Sequence, residues 1–129
     1  MISGIGIDIV QTRRMERWCK QRELLERYFH PHELSVALSR GKGTANAAVY
    51  QALACRFAAK EAFGKALGTG LAGIVLKDIM VINSHKGRPE LQVFDSALKA
   101  LEKNGANRVH VSLAHEQDNA VAVVVLEVI

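Results

Sequence analysis

Residues 47–70 read AAVYQALACRFAAKEAFGKALGTG. The stretch is rich in alanine, the best helix former, and neither glycine nor proline interrupts it before Gly64. We therefore predict that residues 47–67 form the longest helix of the chain. Gly68, Thr69 and Gly70 follow and are expected to end it, because a glycine-rich turn does not continue a helix.

The first ten residues alternate with the period of a β-strand. Three isoleucines share one face, and Gly4, Gly6 and Asp8 share the other. Because glycine has no side chain, the face that carries Asp8 is bare, and a ligand or another stretch of backbone can approach it closely. The Gly-x-Gly pattern does not indicate a dinucleotide site, since no third glycine follows at the required spacing.

The remaining elements place helices early and hairpins late in the chain. A helix from about Thr12 to Tyr28 and a shorter one over Glu33–Leu38 are predicted before the long helix. After it we predict a strand over Leu76–Ile82 with a partner over Glu90–Phe94, a helix over Ser96–Lys103, and strands over Val109–Ala114 and Ala120–Val128. This order is typical of an α+β fold, and the length suits a single domain, residues 1–129.

The composition is that of a globular protein, with 49% hydrophobic and 23% charged residues. No apolar run approaches the roughly 20 residues that cross a bilayer. The first residues lack the basic and then apolar pattern of a signal peptide. Cys19 and Cys55 are too few for a disulfide scaffold. We therefore expect a cytoplasmic protein that does not associate with a membrane.

Positive charge is concentrated near the start of the chain. The 17 Lys and Arg residues exceed the 13 Asp and Glu residues, which gives a formal net charge of +4. The basic residues are densest at Arg13, Arg14, Arg17, Lys20 and Arg22. A basic stripe of this kind indicates an acidic partner, which is a nucleic acid, a phosphorylated ligand or an acidic protein, or else it is only a solvated helix face.

The long helix carries two pairs of charged residues at a spacing of four. Glu61 and Lys65 share one face beside Gly64, and Arg56 and Lys60 form the second pair. One carboxylate among several cations next to a glycine suits a surface that binds phosphate and metal. The alternative is an ordinary Glu–Lys pair on the surface of a helix.

Asp8 and Glu61 are the natural ligands for a hard cation. Magnesium is commonly held by two carboxylates, with water and substrate phosphates completing its shell. Neither CxxC nor HExxH occurs in the sequence. We therefore expect Mg²⁺, or Mn²⁺ in its place, rather than zinc.

His110 and Ser112 share one face of a late strand, opposite valine and leucine side chains. The apolar face belongs to a core, so His110 and Ser112 are expected to face solvent, a cleft or another subunit. A single strand histidine is also compatible with a purely structural role.

Three segments together resemble the signature blocks of the holo-[acyl-carrier-protein] synthases, the short bacterial 4′-phosphopantetheinyl transferases. They are GIGIDIV (4–10), RFAAKEAFGKALGTG (56–70) and HVSLAH (110–115). Their order and spacing match as well, so the resemblance covers essentially the whole chain. It implies an α+β fold in which a long helix packs on an antiparallel sheet.

The resemblance also implies a reaction. The family transfers the 4′-phosphopantetheine arm of coenzyme A to a serine of apo-acyl carrier protein and releases adenosine 3′,5′-bisphosphate, in support of fatty acid biosynthesis and hence lipid metabolism. It works with Mg²⁺, and its short bacterial members are homotrimers with active sites at the subunit interfaces. The group that takes the serine proton is left open between a water on the metal, Glu61 and His110.

Roles for individual residues follow from the resemblance. Asp8 and Glu61 are expected to hold the metal, and Glu61, Lys65 and His110 to be catalytic, with His110 supplied by a neighbouring subunit. The coenzyme A site is expected to comprise Arg56, Lys60, Lys65, Gly68, Thr69, Gly70, Arg88, Pro89, His110 and Ser112. Docking of the acidic carrier protein is expected at Arg13, Arg14, Arg17 and Arg27.

A basic module without catalytic activity, which binds an acidic protein or a nucleic acid, is the competing interpretation. Readers of single-stranded nucleic acid stack bases on aromatic side chains. The chain has only one Trp, two Tyr and four Phe, and its strands show no aromatic pattern. We therefore expect no nucleic-acid partner.

Overall fold

The computed structural model describes residues 1–129, which form five strands, five α-helices and one short 3₁₀ helix. In chain order these are β1 (Ile2–Gln11), α1 (Arg13–Trp18), α2 (Arg22–Tyr28), α3 (Pro31–Ser39), α4 (Ala47–Leu67), the 3₁₀ helix (Leu76–Asp78), β2 (Ile79–Asn83), β3 (Pro89–Val93), α5 (Asp95–Asn104), β4 (Arg108–His115) and β5 (Asn119–Glu127). No helix is long and apolar enough to cross a membrane.

The strands form two antiparallel sheets. The larger has the order β1-β5-β4, and β2 and β3 form a separate hairpin. In the larger sheet Asp8 pairs with Ala122, and Ala122 pairs with Leu113. These three residues therefore lie on the same face of the sheet, which we call the inner face because α4 packs against it.

Helix α4 is the centre of the molecule. It contacts β1 and β5 on one side and α1 and α3 on others. Its N-terminus is capped by the Asn46 side chain, which accepts hydrogen bonds from the amides of Ala48 and Val49, and it ends at Gly68 in the left-handed conformation. The predicted bounds of this helix are confirmed, as is the α+β class.

Two predicted elements differ from the structure. The helix expected over Thr12–Tyr28 is broken at Gln21, which has a non-helical backbone (φ −128°, ψ 84°). The break folds α2 back on α1, so that the Trp18 and Tyr28 rings meet at 5.0 Å. The strand expected from Leu76 begins only at Ile79, because the intervening 3₁₀ turn directs the carbonyl oxygens of Leu76 and Ile79 towards Lys60.

Lys60 and Glu33 form an ion pair in which both side chains are fully buried. Lys60 Nζ donates to Glu33 Oε1 at 2.7 Å and also to the carbonyl oxygens of Leu76 and Ile79. Glu33 accepts in addition from the amides of His30 and Val81. Buried charges are tolerated only when they are paired and hydrogen-bonded in this way. The pair therefore ties α3, α4 and β2 together.

Strand β1 approaches α4 more closely than side chains would allow. A Cβ atom on Gly4 would lie 2.0 Å from the Ala66 carbonyl oxygen, and one on Gly6 would lie 2.0 Å from the Ala62 carbonyl oxygen. The face of β1 that was predicted to be bare is therefore covered by the backbone of α4.

We expect Gly6→Ala to lower the free energy of unfolding by about 3 kcal/mol, because β1 and α4 must separate to admit the methyl group. Gly73→Ala is the control, since nothing lies within 4 Å of its Cβ position and only its left-handed backbone (φ +78°) is strained. Gly73→Ala should lower the free energy of unfolding by about 1 kcal/mol. Urea denaturation measures both, and equal losses would contradict the importance of the close approach.

Candidate active site

The close packing of β1 on α4 brings Asp8, Glu61 and Lys65 together. Asp8 is on the inner face of β1, and Lys65 Nζ donates to Asp8 Oδ1 at 2.9 Å and to the Ile7 carbonyl oxygen at 3.1 Å. Glu61 precedes Lys65 by one helical turn. Lys65 is paired with Asp8 on another element and has no ion pair with Glu61, so the alternative of an ordinary Glu–Lys pair on one helix does not apply. We call these three residues the acid cluster.

The two carboxylates of the acid cluster repel each other. Burial raises the pKa of Glu61, and the negative charge of Asp8 raises it further. The positive charges of Arg14 and Lys65 oppose this rise but do not cancel it. A site at which two carboxylates resist being ionised together is one where a bound cation would stabilise both.

The acid cluster fits the magnesium ion that was expected from the sequence. No group of three or more His, Cys, Asp or Glu side chains gathers anywhere in the chain, so the protein offers two carboxylates at most. Magnesium keeps several waters and takes the rest of its ligands from one or two carboxylates and from substrate phosphates. The donor set therefore suits Mg²⁺ better than an ion that needs a complete protein cage.

A second feature is a cleft of about 490 Å³ between α4, the β2–β3 hairpin and the end of β4. Arg40, Arg56, Pro89 and His115 are among its lining residues. Arg56 is only 4% exposed; one of its terminal nitrogens donates to the Ala52 carbonyl oxygen at 3.0 Å, but its Nε has no partner. An unpaired buried N–H of a cation is costly, and an anionic ligand in the cleft would satisfy it.

The structure contradicts the phosphate-binding role expected for Lys60. Its ammonium group is fully buried, and its three protons are used by Glu33, Leu76 and Ile79. Spacing alone placed Lys60 beside Arg56 on the helix, but α3 and β2 cover that part of α4. The prediction is wrong for this residue because no ligand can reach it.

The other residues expected at coenzyme A lie in two places. Gly68, Thr69 and Gly70 form the turn after α4, in which the Gly70 amide donates to the Gly64 carbonyl oxygen. Arg88, Pro89 and His110 line a groove of about 500 Å³ that also contains Arg108. Pro89 lines both this groove and the cleft at Arg56, so the two are adjacent.

His110 does not meet the acid cluster within one chain. It pairs across the sheet with Val125, which pairs with Ile5, so its side chain lies on the outer face, opposite to Asp8. Ser112 is on that outer face too. There His110 Nε2 lies 2.8 Å from Glu127 Oε1, and this contact lowers the pKa of Glu127. Within one chain, His110 and Asp8 therefore do not face the same site.

The basic stripe runs from α1 to the first residue of α2, and Arg27 lies further along α2. Arg13, Arg17 and Arg27 are exposed, whereas Arg14 is half-buried against aromatic rings. The charge of Arg14 also lowers the pKa of Glu61. The stripe therefore borders the acid cluster at Arg14.

Comparison with known protein sequences identifies the family of this chain. The sequence model of the 4′-phosphopantetheinyl transferase superfamily matches residues 4–124. A holo-[acyl-carrier-protein] synthase of Treponema denticola is 54% identical over 127 residues, which are 98% of this chain and 99% of that protein. The chain belongs to this family.

Solved structures lead to the same family. The chain superposes on a holo-[acyl-carrier-protein] synthase of Neisseria meningitidis with a TM-score of 0.84 and 38% identity, covering 98% of this chain and 99% of that one. The enzyme of Bacillus anthracis, in complex with coenzyme A (3′,5′-ADP), gives a TM-score of 0.80 and 37% identity, covering 99% and 98%. The family, the fold and the transferase activity predicted from the three sequence blocks are confirmed.

Two candidate binding residues were missed by sequence reasoning. Arg40 and His115 line the cleft with Arg56. Arg40 directly precedes the glycine-rich loop 41–46, and a basic residue at the edge of such a loop is the signal that would have identified it. His115 ends the same strand as His110, but nothing in its spacing distinguishes it from a surface histidine.

The electrostatic coupling within the acid cluster can be tested by two substitutions with opposite effects. Asp8→Asn removes the negative charge that raises the pKa of Glu61, so this pKa should fall. Arg14→Ala removes a positive charge that lowers it, so this pKa should rise. Carbon-13 NMR titration of the Glu61 carboxyl group, in protein freed of metal by a chelator, measures both. Shifts in the same direction would contradict the assigned coupling.

Proposed function

We propose that this chain transfers the 4′-phosphopantetheine arm of coenzyme A to a serine hydroxyl of an apo-acyl carrier protein, with Mg²⁺ held by Asp8 and Glu61. The observation that carries the proposal is the acid cluster, in which two carboxylates and one lysine from distant parts of the chain meet. The products are the loaded carrier protein and adenosine 3′,5′-bisphosphate, and the reaction supports fatty acid biosynthesis.

The reaction replaces a phosphoanhydride bond of coenzyme A by a phosphate ester bond to serine. The serine oxygen forms a bond to the phosphorus that carries the pantetheine arm, the bond from that phosphorus to the bridging oxygen of the pyrophosphate breaks, and the serine proton is released. Negative charge builds up on the phosphate oxygens during this step. Magnesium, when bound, polarises those oxygens and neutralises part of this charge.

Residues of the chain contribute charge and orientation. Lys65 Nζ, 2.9 Å from Asp8 Oδ1, places a positive charge where the transferred phosphate meets the carboxylates. Arg56, with its unpartnered Nε, offers a charged donor to another phosphate of coenzyme A in the cleft beside Arg40. Arg88 and Pro89 on the hairpin lie next to this cleft and complete the proposed nucleotide site.

These parts of the proposed site lie on different sides of α4. Arg56 and Glu61 are five residues apart, which is about 140° around a helix, and His110 lies on the opposite face of the sheet from Asp8. A coenzyme A molecule that uses all of them would need groups from two chains. This supports an active site built at a subunit interface.

The outer face of the sheet supports self-association. Ile5, Ile7 and Ile9 are 62%, 59% and 63% exposed, and Val123 and Val125 lie beside them on β5. A contiguous apolar patch of this kind marks an interaction surface. We therefore assign this face to the contact between copies of the chain in the homotrimer implied by the family, with His110 and Ser112 at its edge.

The basic stripe supports docking of an acidic carrier protein. Arg13, Arg14, Arg17 and Arg27 extend across α1 and α2, and Arg14 borders the acid cluster. A carrier protein held there presents its serine close to the metal ligands. The two cysteines are free thiols, as expected for a protein of the cytoplasm, where we place the reaction.

Intact-mass spectrometry of apo-acyl carrier protein, incubated with the chain, coenzyme A and Mg²⁺, tests the function. We expect a mass gain of one phosphopantetheine arm, which a chelator abolishes. Asp8→Asn should lower the rate at least about 100-fold, because one metal ligand is lost. Glu102→Gln, an exposed acid on α5, is the control and should retain full activity.

The absence of any mass gain with several acidic carrier proteins would overturn the proposed activity and favour a binding module without catalysis. An unchanged rate of mass gain with Asp8→Asn would leave the activity intact but refute the metal-binding role of Asp8.

Self-association is tested by Ile7→Lys, which places a charge in the middle of the outer apolar face. We expect light scattering after gel filtration to give three times 14.1 kDa for the unchanged protein and 14.1 kDa for the variant. Transferase activity should disappear with the trimer. Lys99→Glu, a charge change on the exposed part of α5, is the control. A variant that remains trimeric would show that this face is not the interface.

A further inference from the structure

Arg14 differs from the other arginines of the basic stripe in being held by aromatic rings. Its guanidinium carbon lies 5.4 Å from the centre of the Trp18 ring and 5.2 Å from that of Phe57. Cations within about 6 Å of a ring centre are attracted to its face. Arg14 has no hydrogen-bond or ion-pair partner within the chain, whereas Arg13 Nε donates to Gln11 Oε1.

The two rings are themselves fixed. Trp18 meets Phe57 edge to face at 4.9 Å, and the Tyr28 ring packs against Trp18 at 5.0 Å. Phe57 is only 6% exposed and lies on α4 one turn before Glu61. The rings therefore tie the position of Arg14 to the helix that carries the proposed metal ligand.

This arrangement leaves the binding capacity of Arg14 unused. The rings attract the guanidinium group electrostatically, and none of its N–H donors has a hydrogen-bond partner within the chain, so all of them remain available. An arginine held in one orientation also loses less rotamer entropy when it meets a carboxylate than a free one does. Such an arginine is prepared to bind an acidic side chain.

We propose that Trp18 and Phe57 are positioning residues that hold Arg14 ready to receive an acidic side chain of the carrier protein beside Glu61. This inference rests on the proposed function and extends it, because it assigns to two aromatic residues a role in the recognition of the protein substrate. Neither ring touches the reacting atoms, so both act through Arg14.

Steady-state kinetics with the full-length protein test the inference, with apo-acyl carrier protein varied at saturating coenzyme A and coenzyme A varied at saturating carrier protein. Trp18→Leu should raise the KM for the carrier protein about three- to tenfold, the size of effect expected from loss of cation–π contact. The kcat and the KM for coenzyme A should stay within about twofold. Trp18→Phe, which keeps an aromatic face, should restore most of the affinity.

Tyr28→Leu is the matched control. Tyr28 packs on Trp18 in the same cluster but does not contact the Arg14 guanidinium. If the aromatic rings had only a structural role, Tyr28→Leu and Trp18→Leu would raise the KM for the carrier protein equally. That result would overturn the proposal. Thermal unfolding of each variant records any general loss of stability.

A double variant separates this inference from the proposed function. If Trp18 acts through Arg14, Trp18→Leu should have no further effect once Arg14→Ala has raised the carrier KM. Additive effects would overturn the positioning role. Arg14→Lys keeps the positive charge but lacks the planar guanidinium group, so it should raise the same KM. An unchanged KM would also overturn the role. Failure of the unchanged protein to transfer the arm would refute the proposed function itself.

Discussion

The contact on which the rest of the structure depends is the approach of the β1 backbone to α4 at Gly4 and Gly6. Both positions face backbone carbonyl oxygens of the helix at distances that no Cβ atom tolerates. Because the strand lies so close, the short side chain of Asp8, two residues further along, reaches the ammonium group of Lys65. A strand with larger residues at these positions would sit further from the helix, and the two carboxylates of the acid cluster would no longer affect each other.

The buried pair of Lys60 and Glu33 fixes the other side of α4. Burial penalises the charged form of Lys60 and lowers its pKa, while the charge of Glu33 opposes this effect. The pair persists because its remaining hydrogen-bonding capacity is used by backbone groups of α3, β2 and the preceding 3₁₀ turn. The same contacts hold Val81, and with it the β2–β3 hairpin, over the cleft that Arg56 lines.

Local sequence signals predicted the bounds of α4 well. They did not predict which of its charged side chains are buried against other elements. Alanine content and the terminal glycine are properties of the segment itself, so the bounds of α4 could be predicted from the sequence. The acid cluster could be proposed because its three residues stand in blocks that identify the family. Whether a lysine on α4 faces solvent or another element depends on tertiary packing, and for this reason Lys60 was assigned to a phosphate site. The break between α1 and α2 is likewise set by the packing of Trp18 on Tyr28, which no local pattern shows.

Strand β1 carries both the proposed metal ligand and the face proposed for self-association, and the alternation of its side chains links the two. Glycine and aspartate on its inner face let α4 come close and supply the proposed metal ligand, while isoleucines on its outer face supply the surface proposed for self-association. Since successive side chains point to opposite faces, a shift of the pairing by one residue would exchange the two sets. Asp8 would then lie on the outer apolar face of the sheet, and isoleucine side chains would face α4. The pairing of β1 with β5 therefore holds the proposed metal ligand and the proposed subunit contact in a fixed relation, which is what an active site shared between subunits would require.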